Sequence, residues 1–184
     1  MSYSLLAKRL RLPLGFALAI GYLLFARPTP TLLGVGAAVA FVGVLVRAWA
    51  SGHIMKNDRL ATTGPYAWVR NPLYFGSFLI SCGFALAAHW ALLVLVALFF
   101  ALIYVPTMQR EKANIAQRFP EAYAEYCATV PAFFPRLTPW RGGAGGAGEF
   151  SRALYMKHGE WKAALGYAGA LVFLVLRLRG VLAW

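Results

Sequence analysis

Two stretches of this chain hold residue types that bind charged ligands. The first, Ala61–Gly76, reads ATTGPYAWVRNPLYFG. Gly64-Pro65 predicts a turn, and Asn71 before Pro72 suits a helix N-cap followed by proline at the first helical position. A helix that begins there leaves its free N–H groups and positive dipole end beside Arg70, which are the makings of an anion site. Tyr66, Trp68 and Tyr74 add aromatic surface. The second stretch, Gln109–Pro135, places Ile115, Phe119, Tyr123 and Tyr126 at helical spacing from Met108, and Pro120 predicts the start of a second short helix. Its polar residues are Arg110, Glu111, Lys112, Arg118, Glu121 and Glu125. Glu111 follows an apolar run closely and needs a partner there, and Arg118 at i+7 can share its face. Each stretch has a plainer reading as well. The first could be an aromatic belt around a well-capped helix, the second an amphipathic helix lying on lipid headgroups.

Other chemistries lack their residues. No HExxH, CxxC or clustered His/Cys is present, and His53, His89 and His158 are far apart, so no metal set is expected. Nothing suggests a Ser/His/Asp or Cys/His nucleophile. Gly142–Gly148 (GGAGGAG) follows no expected strand and lacks the Lys-Ser/Thr of a phosphate-binding loop, so it reads as a flexible linker. Cys82 and Cys127 support no disulfide framework.

The elements that must position these residues are apolar. Sixty per cent of the 184 residues are hydrophobic, 13% are charged and the mean hydropathy is +0.61. A soluble domain could not hide that much apolar surface. Five apolar runs stand out: Leu12–Ala26, Thr31–Ala50, Pro72–Ala88, Trp90–Met108 and Ala163–Leu176. Lipid gives backbone groups no partners, so such runs must be helices. The expectation is a single all-α domain over 1–184: a polytopic membrane helical bundle of about five transmembrane helices, with the motif-bearing core at 47–135 and a last membrane helix within 163–184. The first run follows basic residues as a signal peptide would, but no cleavage site and polar mature domain follow, so it reads as a retained helix. Residues 29–31 and 88–90 leave room only for tight hairpins.

The net charge of +12 could suggest nucleic acid. The basic residues instead flank the apolar runs, where they set membrane orientation. Fifteen of them fall on one side of the expected membrane, and Arg27, Arg177 and Arg179 on the other. The N-terminus is therefore expected inside and the C-terminus outside, with the two chemical stretches at the cytoplasmic face. Ala-, Gly- and Arg-rich usage suggests a bacterial inner membrane.

GPYAWVRNPLYFG resembles the GPY-x-x-VRHP-x-Y-x-G signature of the isoprenylcysteine carboxyl methyltransferase family of integral membrane methyltransferases. REKANIAQRFPEAYAEYCATVPAFFP is similar to that family's second signature, an acidic pair followed by FG-x-x-Y-x-x-Y and a VP-x-x-x-P ending. The resemblance covers roughly 47–135. It implies S-adenosylmethionine (SAM) as cofactor, held in a cytoplasmic site built from helix ends and linkers. It further implies that Tyr66, Val69, Arg70, Asn71, Pro72 and Tyr74 bind the cofactor, that Glu111, Tyr123 and Tyr126 close over it, and that Arg118 orients the methyl acceptor, with Glu111 and Arg118 the catalytic pair. The acceptor is then a lipophilic or lipidated molecule entering from the bilayer, and a carboxyl group by analogy. Two positions depart from the signatures: Asn71 replaces a histidine and Lys112 an acidic residue. The alternatives are an NADPH-dependent membrane reductase of the sterol-reductase type, which has a related RHP-x-Y-x-G element, and a non-catalytic membrane protein.

Overall fold

The computed structural model describes residues 3–54, 59–142 and 148–182. Lys56, Asp58 and most of the Gly142–Gly148 linker lie outside the described residues. Eight α-helices follow in chain order: α1 Tyr3–Phe25, α2 Pro30–Ser51, α3 Pro72–Ala88, α4 Leu92–Phe99, α5 Val105–Arg118, α6 Pro120–Thr129, α7 Arg152–His158 and α8 Trp161–Leu178. A 3₁₀ turn at Gly64–Ala67 precedes α3, and a π turn at Phe100–Tyr104 joins α4 to α5. No strand occurs among the described residues. The protein is an all-α membrane bundle, in which α2, the continuous Leu92–Arg118 helix and α8 are long and apolar enough to cross a bilayer. The other two expected spans correspond to α1 and to α3, whose 17 residues rise ~25 Å.

The closest packing in the bundle is between α2 and α3, and glycine permits it. A Cβ on Gly43 would stand 2.6 Å from the Gly76 carbonyl oxygen, and one on Gly76 would stand 2.6 Å from Arg47 Cγ. Gly36 and Gly83 meet seven residues further along in the same way. Association in lipid is driven by van der Waals contact and backbone approach, so small residues line such seams. The seam brings the Arg47 side chain onto the first turns of α3.

The tight turns expected at both hairpins are present, at 26–29 and 89–91. At that end of the bundle Ala26, Leu33, Ala87, Ala88 and Leu174 form a buried cluster. Arg177 at the end of α8 donates there to the carbonyls of Ala26 (Nε, 2.7 Å) and Leu24 (Nη2, 3.1 Å). The few basic residues of the sparse side thus gather at one end, and the two chemical stretches lie at the other.

The fourth span and the helix expected from the spacing after Met108 are one continuous element, which runs on through Glu111 to Arg118. Pro106 lacks an N–H and its ring crowds the preceding turn. The wider π turn immediately before it absorbs this irregularity, and Thr107 Oγ1 donates to the Ile103 carbonyl at 2.7 Å. The break also sets Tyr104, which stacks on Phe100 with ring centroids 4.2 Å apart.

Candidate functional site

The segment before α3 is held by main-chain bonds to the chain that follows α6. Arg70 N donates to the Pro131 carbonyl (2.9 Å), Arg136 N to Trp68 (3.0 Å) and Trp140 N to Ala67 (2.8 Å). Tyr126 locks the two stretches together. Its ring packs on Trp140 and its hydroxyl donates to the Tyr66 carbonyl at 2.6 Å. Tyr123, Tyr126 and Val130 are buried together against Leu60, Ile115 and Phe119. The two stretches, separated by 32 residues in sequence, therefore form the walls of one site.

That site is a cavity of about 1140 Å³. Tyr66, Arg70, Asn71 and Tyr74 line it from the α3 side, and Glu111, Arg118, Tyr123 and Tyr126 from α5 and α6. Val69 and Pro72 do not reach its wall; both are buried behind it and fix the backbone between Tyr66 and Tyr74. Eight of the ten residues singled out from the sequence thus face one space.

Asn71 occupies the N-cap position of α3 but does not cap it with its side chain. Its amide instead donates to the Ala132 carbonyl at 2.8 Å, a strut from the helix start to the segment after α6. The expected side-chain cap is therefore replaced by a tertiary bond, and the first N–H groups of α3 find no acceptor in the Asn71 side chain.

Glu111 has the partner its position calls for: Tyr74 Oη donates to Glu111 Oε1 at 2.8 Å, bridging α3 and α5. The Tyr74 ring also packs edge-on to Tyr104, with centroids 5.5 Å apart. Arg70 Nη1 donates to Cys127 Sγ, while its Nε is buried without a hydrogen-bond partner among the described residues. A buried donor left unpaired costs free energy until something accepts from it.

Burial raises the pKa of three of the site tyrosines. Tyr123 is pushed up to about 12, first by burial and then by its hydrogen bond with Cys127, with Arg70 opposing. Tyr66 and Tyr126 are held well above the ordinary phenol value, in both cases mainly by burial; the carboxylates of Glu160 and Glu111 add to the effect on Tyr66, and the Tyr66 ring to that on Tyr126. All three hydroxyls stay neutral at physiological pH and act as hydrogen-bonding groups.

Lys112, the departure from the second signature, lines the cavity too, as do residues that the sequence did not single out, among them Arg47, Arg59, Tyr104, Ser77 and Leu12. Arg47 lies inside α2, where its guanidinium donates to both carboxylate oxygens of Glu160 at 2.8–2.9 Å. An arginine within an apolar run was the available signal, because intramembrane charge is expensive and marks function. Glu160, just ahead of α8, carried no such signal. With Arg47 paired to Glu160, the basic residues left in the wall are Arg59, Arg70, Lys112 and Arg118 against one carboxylate, Glu111, and this balance favours anionic ligand groups.

Comparison with known proteins bears on this geometry. The phospholipid methyltransferase family profile matches residues 16–122, a span that includes the first stretch and the whole of α5. The chain is 38% identical over 117 residues to the cobalt-zinc-cadmium resistance protein CzcN of Cupriavidus metallidurans, covering 62% of this chain and 54% of that protein. It is 36% identical over 113 residues to the nickel-cobalt-cadmium resistance protein NccN of Alcaligenes xylosoxydans xylosoxydans, covering 60% and 53%. The chain thus spans about half the length of the curated relatives it matches. No solved structure matches.

Proposed function

The chain belongs to the phospholipid methyltransferase family, of the isoprenylcysteine carboxyl methyltransferase-like superfamily, and from that premise we propose that it transfers a methyl group from SAM to a lipophilic or amphiphilic acceptor entering from the bilayer. The observation that carries the reading is the single cavity on which both signature stretches converge, with Glu111 and Arg70 in its wall.

The residues present fit such a cofactor. Glu111, already oriented by the Tyr74 hydroxyl, suits its ammonium group through a charge-assisted bond. Arg70, with a buried Nε lacking an acceptor, suits its carboxylate, and the start of α3 adds positive potential. The faces of Tyr66, Tyr74, Tyr104 and Tyr123 suit a sulfonium cation. When bound, SAM supplies an electrophilic methyl group. The volume exceeds the ~300–1,000 Å³ of an ordinary ligand pocket, which leaves space for an acceptor beside the cofactor.

The chain's own part is positioning. Arg118 orients the acceptor from the α5 face that also carries Glu111. A carboxylate acceptor, the group the resemblance favours, is ionised at neutral pH and needs alignment more than a general base. The basic excess of the wall supports an anionic group there.

Calorimetric titration of SAM into purified protein tests the proposal. The wild type binds. Glu111→Gln keeps the shape and removes the charge, and with a charge-assisted bond worth ~1.5–3 kcal/mol its affinity falls by roughly 10- to 100-fold. Arg118→Lys leaves SAM affinity nearly intact and lowers turnover, because lysine lacks the guanidinium fork. Undiminished affinity in Glu111→Gln removes the assignment of the cofactor site. A second reading, a reductase taking NADPH, draws on Arg59, Arg70, Lys112 and Arg118 as phosphate partners. Binding of NADPH and not SAM in the same titration selects it.

A further inference from the structure

Arg47 lines the cavity, yet its guanidinium is already committed to protein groups. Nε and Nη2 donate to the two oxygens of Glu160, and Nη1 donates to the Leu73 carbonyl (3.3 Å) and to Ser77 Oγ. Its stem lies on Gly76, where no side chain intervenes. Ser77 Oγ in turn donates to the Leu73 carbonyl at 2.9 Å. One side chain of α2 is thereby fastened to the first turns of α3 and to the start of α8. The residue after Leu73 is Tyr74, whose hydroxyl holds Glu111.

We infer that Arg47 and Glu160 are positioning residues: through their ion pair α8 sets the first turn of α3, and with it Tyr74 and Glu111 at the cofactor end of the cavity. The inference rests on the SAM reading of that cavity. Glu160 lies beyond the residues that match the family, so α8 completes a site whose other parts lie mostly within them. The pair is largely shielded, with side chains 24% and 13% exposed. In such surroundings, removal of one partner leaves a charge that must find a new arrangement. Without Glu160, the Arg47 cation would also add to the positive wall that a cationic cofactor has to approach.

A plain staple between α2 and α8 would have the same geometry, and the experiment separates the two roles. SAM is titrated calorimetrically into wild type, Glu160→Gln, Arg47→Lys and the exchanged double variant Arg47→Glu/Glu160→Arg, with each melting temperature measured in the same detergent. Calorimetry reads affinity on the folded fraction, so a staple changes stoichiometry and melting temperature but not affinity. The expected result is affinity about tenfold weaker in Glu160→Gln, within the range for substitutions that couple to a site without touching its ligand. Arg47→Lys, which keeps the charge and loses the fork, is weakened in the same direction and serves if Glu160→Gln does not fold. The exchanged pair recovers melting temperature but not affinity, since a carboxylate at position 47 cannot donate to the Leu73 carbonyl. Unchanged affinity in both single variants, or affinity restored by the exchange, overturns the inference while leaving the SAM site standing. A wild type that binds no SAM removes the parent reading and this inference with it.

Discussion

Replacing Tyr126 by phenylalanine isolates the bond that joins the two halves of the site. The side chain is only 2% exposed, its hydroxyl donates to the Tyr66 carbonyl at 2.6 Å, and its ring packs on Trp140 at 5.3 Å between centroids. Phenylalanine preserves the ring contact and deletes the donor. A net hydrogen bond contributes ~0.5–1.5 kcal/mol, but a buried acceptor stripped of its donor costs ~1–3 kcal/mol, so the orphaned carbonyl decides the outcome. Taking ~2 kcal/mol, and ~2–4 °C per kcal/mol for a chain of this size, the melting temperature in detergent should fall by ~4–8 °C. Intrinsic fluorescence from the tryptophans follows the transition. Because the Tyr66 ring is set by the same carbonyl, SAM affinity should fall as well. A melting temperature unchanged or raised in Tyr126→Phe refutes the account, since the carbonyl would then have another partner or water.

Two further outcomes follow from the packing and the charge distribution. Gly83→Leu forces α3 away from the Ala40 turn of α2 and should destabilise by ~1–3 kcal/mol, as overpacking does, whereas Gly34→Leu, with open space at its Cβ, should melt as the wild type does. We also propose that the cavity end faces the cytoplasm: cysteine placed at position 89 should then react with an impermeant maleimide from outside intact cells, and Cys127 should not. The reverse labelling pattern overturns the orientation.

The apolar helices were legible because their signal is length and hydropathy, which survive without tertiary information. α2 and α3 begin within a residue of their apolar runs and end at most a residue beyond them, and the start of α6 at Pro120 follows from proline's fixed geometry. The helical spacing after Met108 was legible too, but the continuity of that helix with the fourth span was hidden because its second half turns polar where it leaves the apolar layer. The π turn was hidden because it arises from Pro106 and aromatic packing together. Of the site, the residues whose types announce ligand chemistry were legible. The pairing of Arg47 with Glu160, 113 positions apart, was not, since nothing local records which helices become neighbours.

The two departures from the signatures have different physical consequences. Asn71 stands where the signature has histidine, and its amide donates to the Ala132 carbonyl. A short side chain that carries a donor is enough for that strut, so the walls of the cavity meet without the imidazole. Lys112 lines the cavity beside Glu111 and puts a positive charge where the signature has a negative one. With Arg59, Arg70 and Arg118 in the same wall, a cationic acceptor would meet repulsion, and an anionic one would be drawn in over roughly a Debye length, ~8 Å at physiological salt. On the proposed reading, the substitution at 71 preserves the cofactor end of the site, and the substitution at 112 shifts the choice of acceptor toward negative charge.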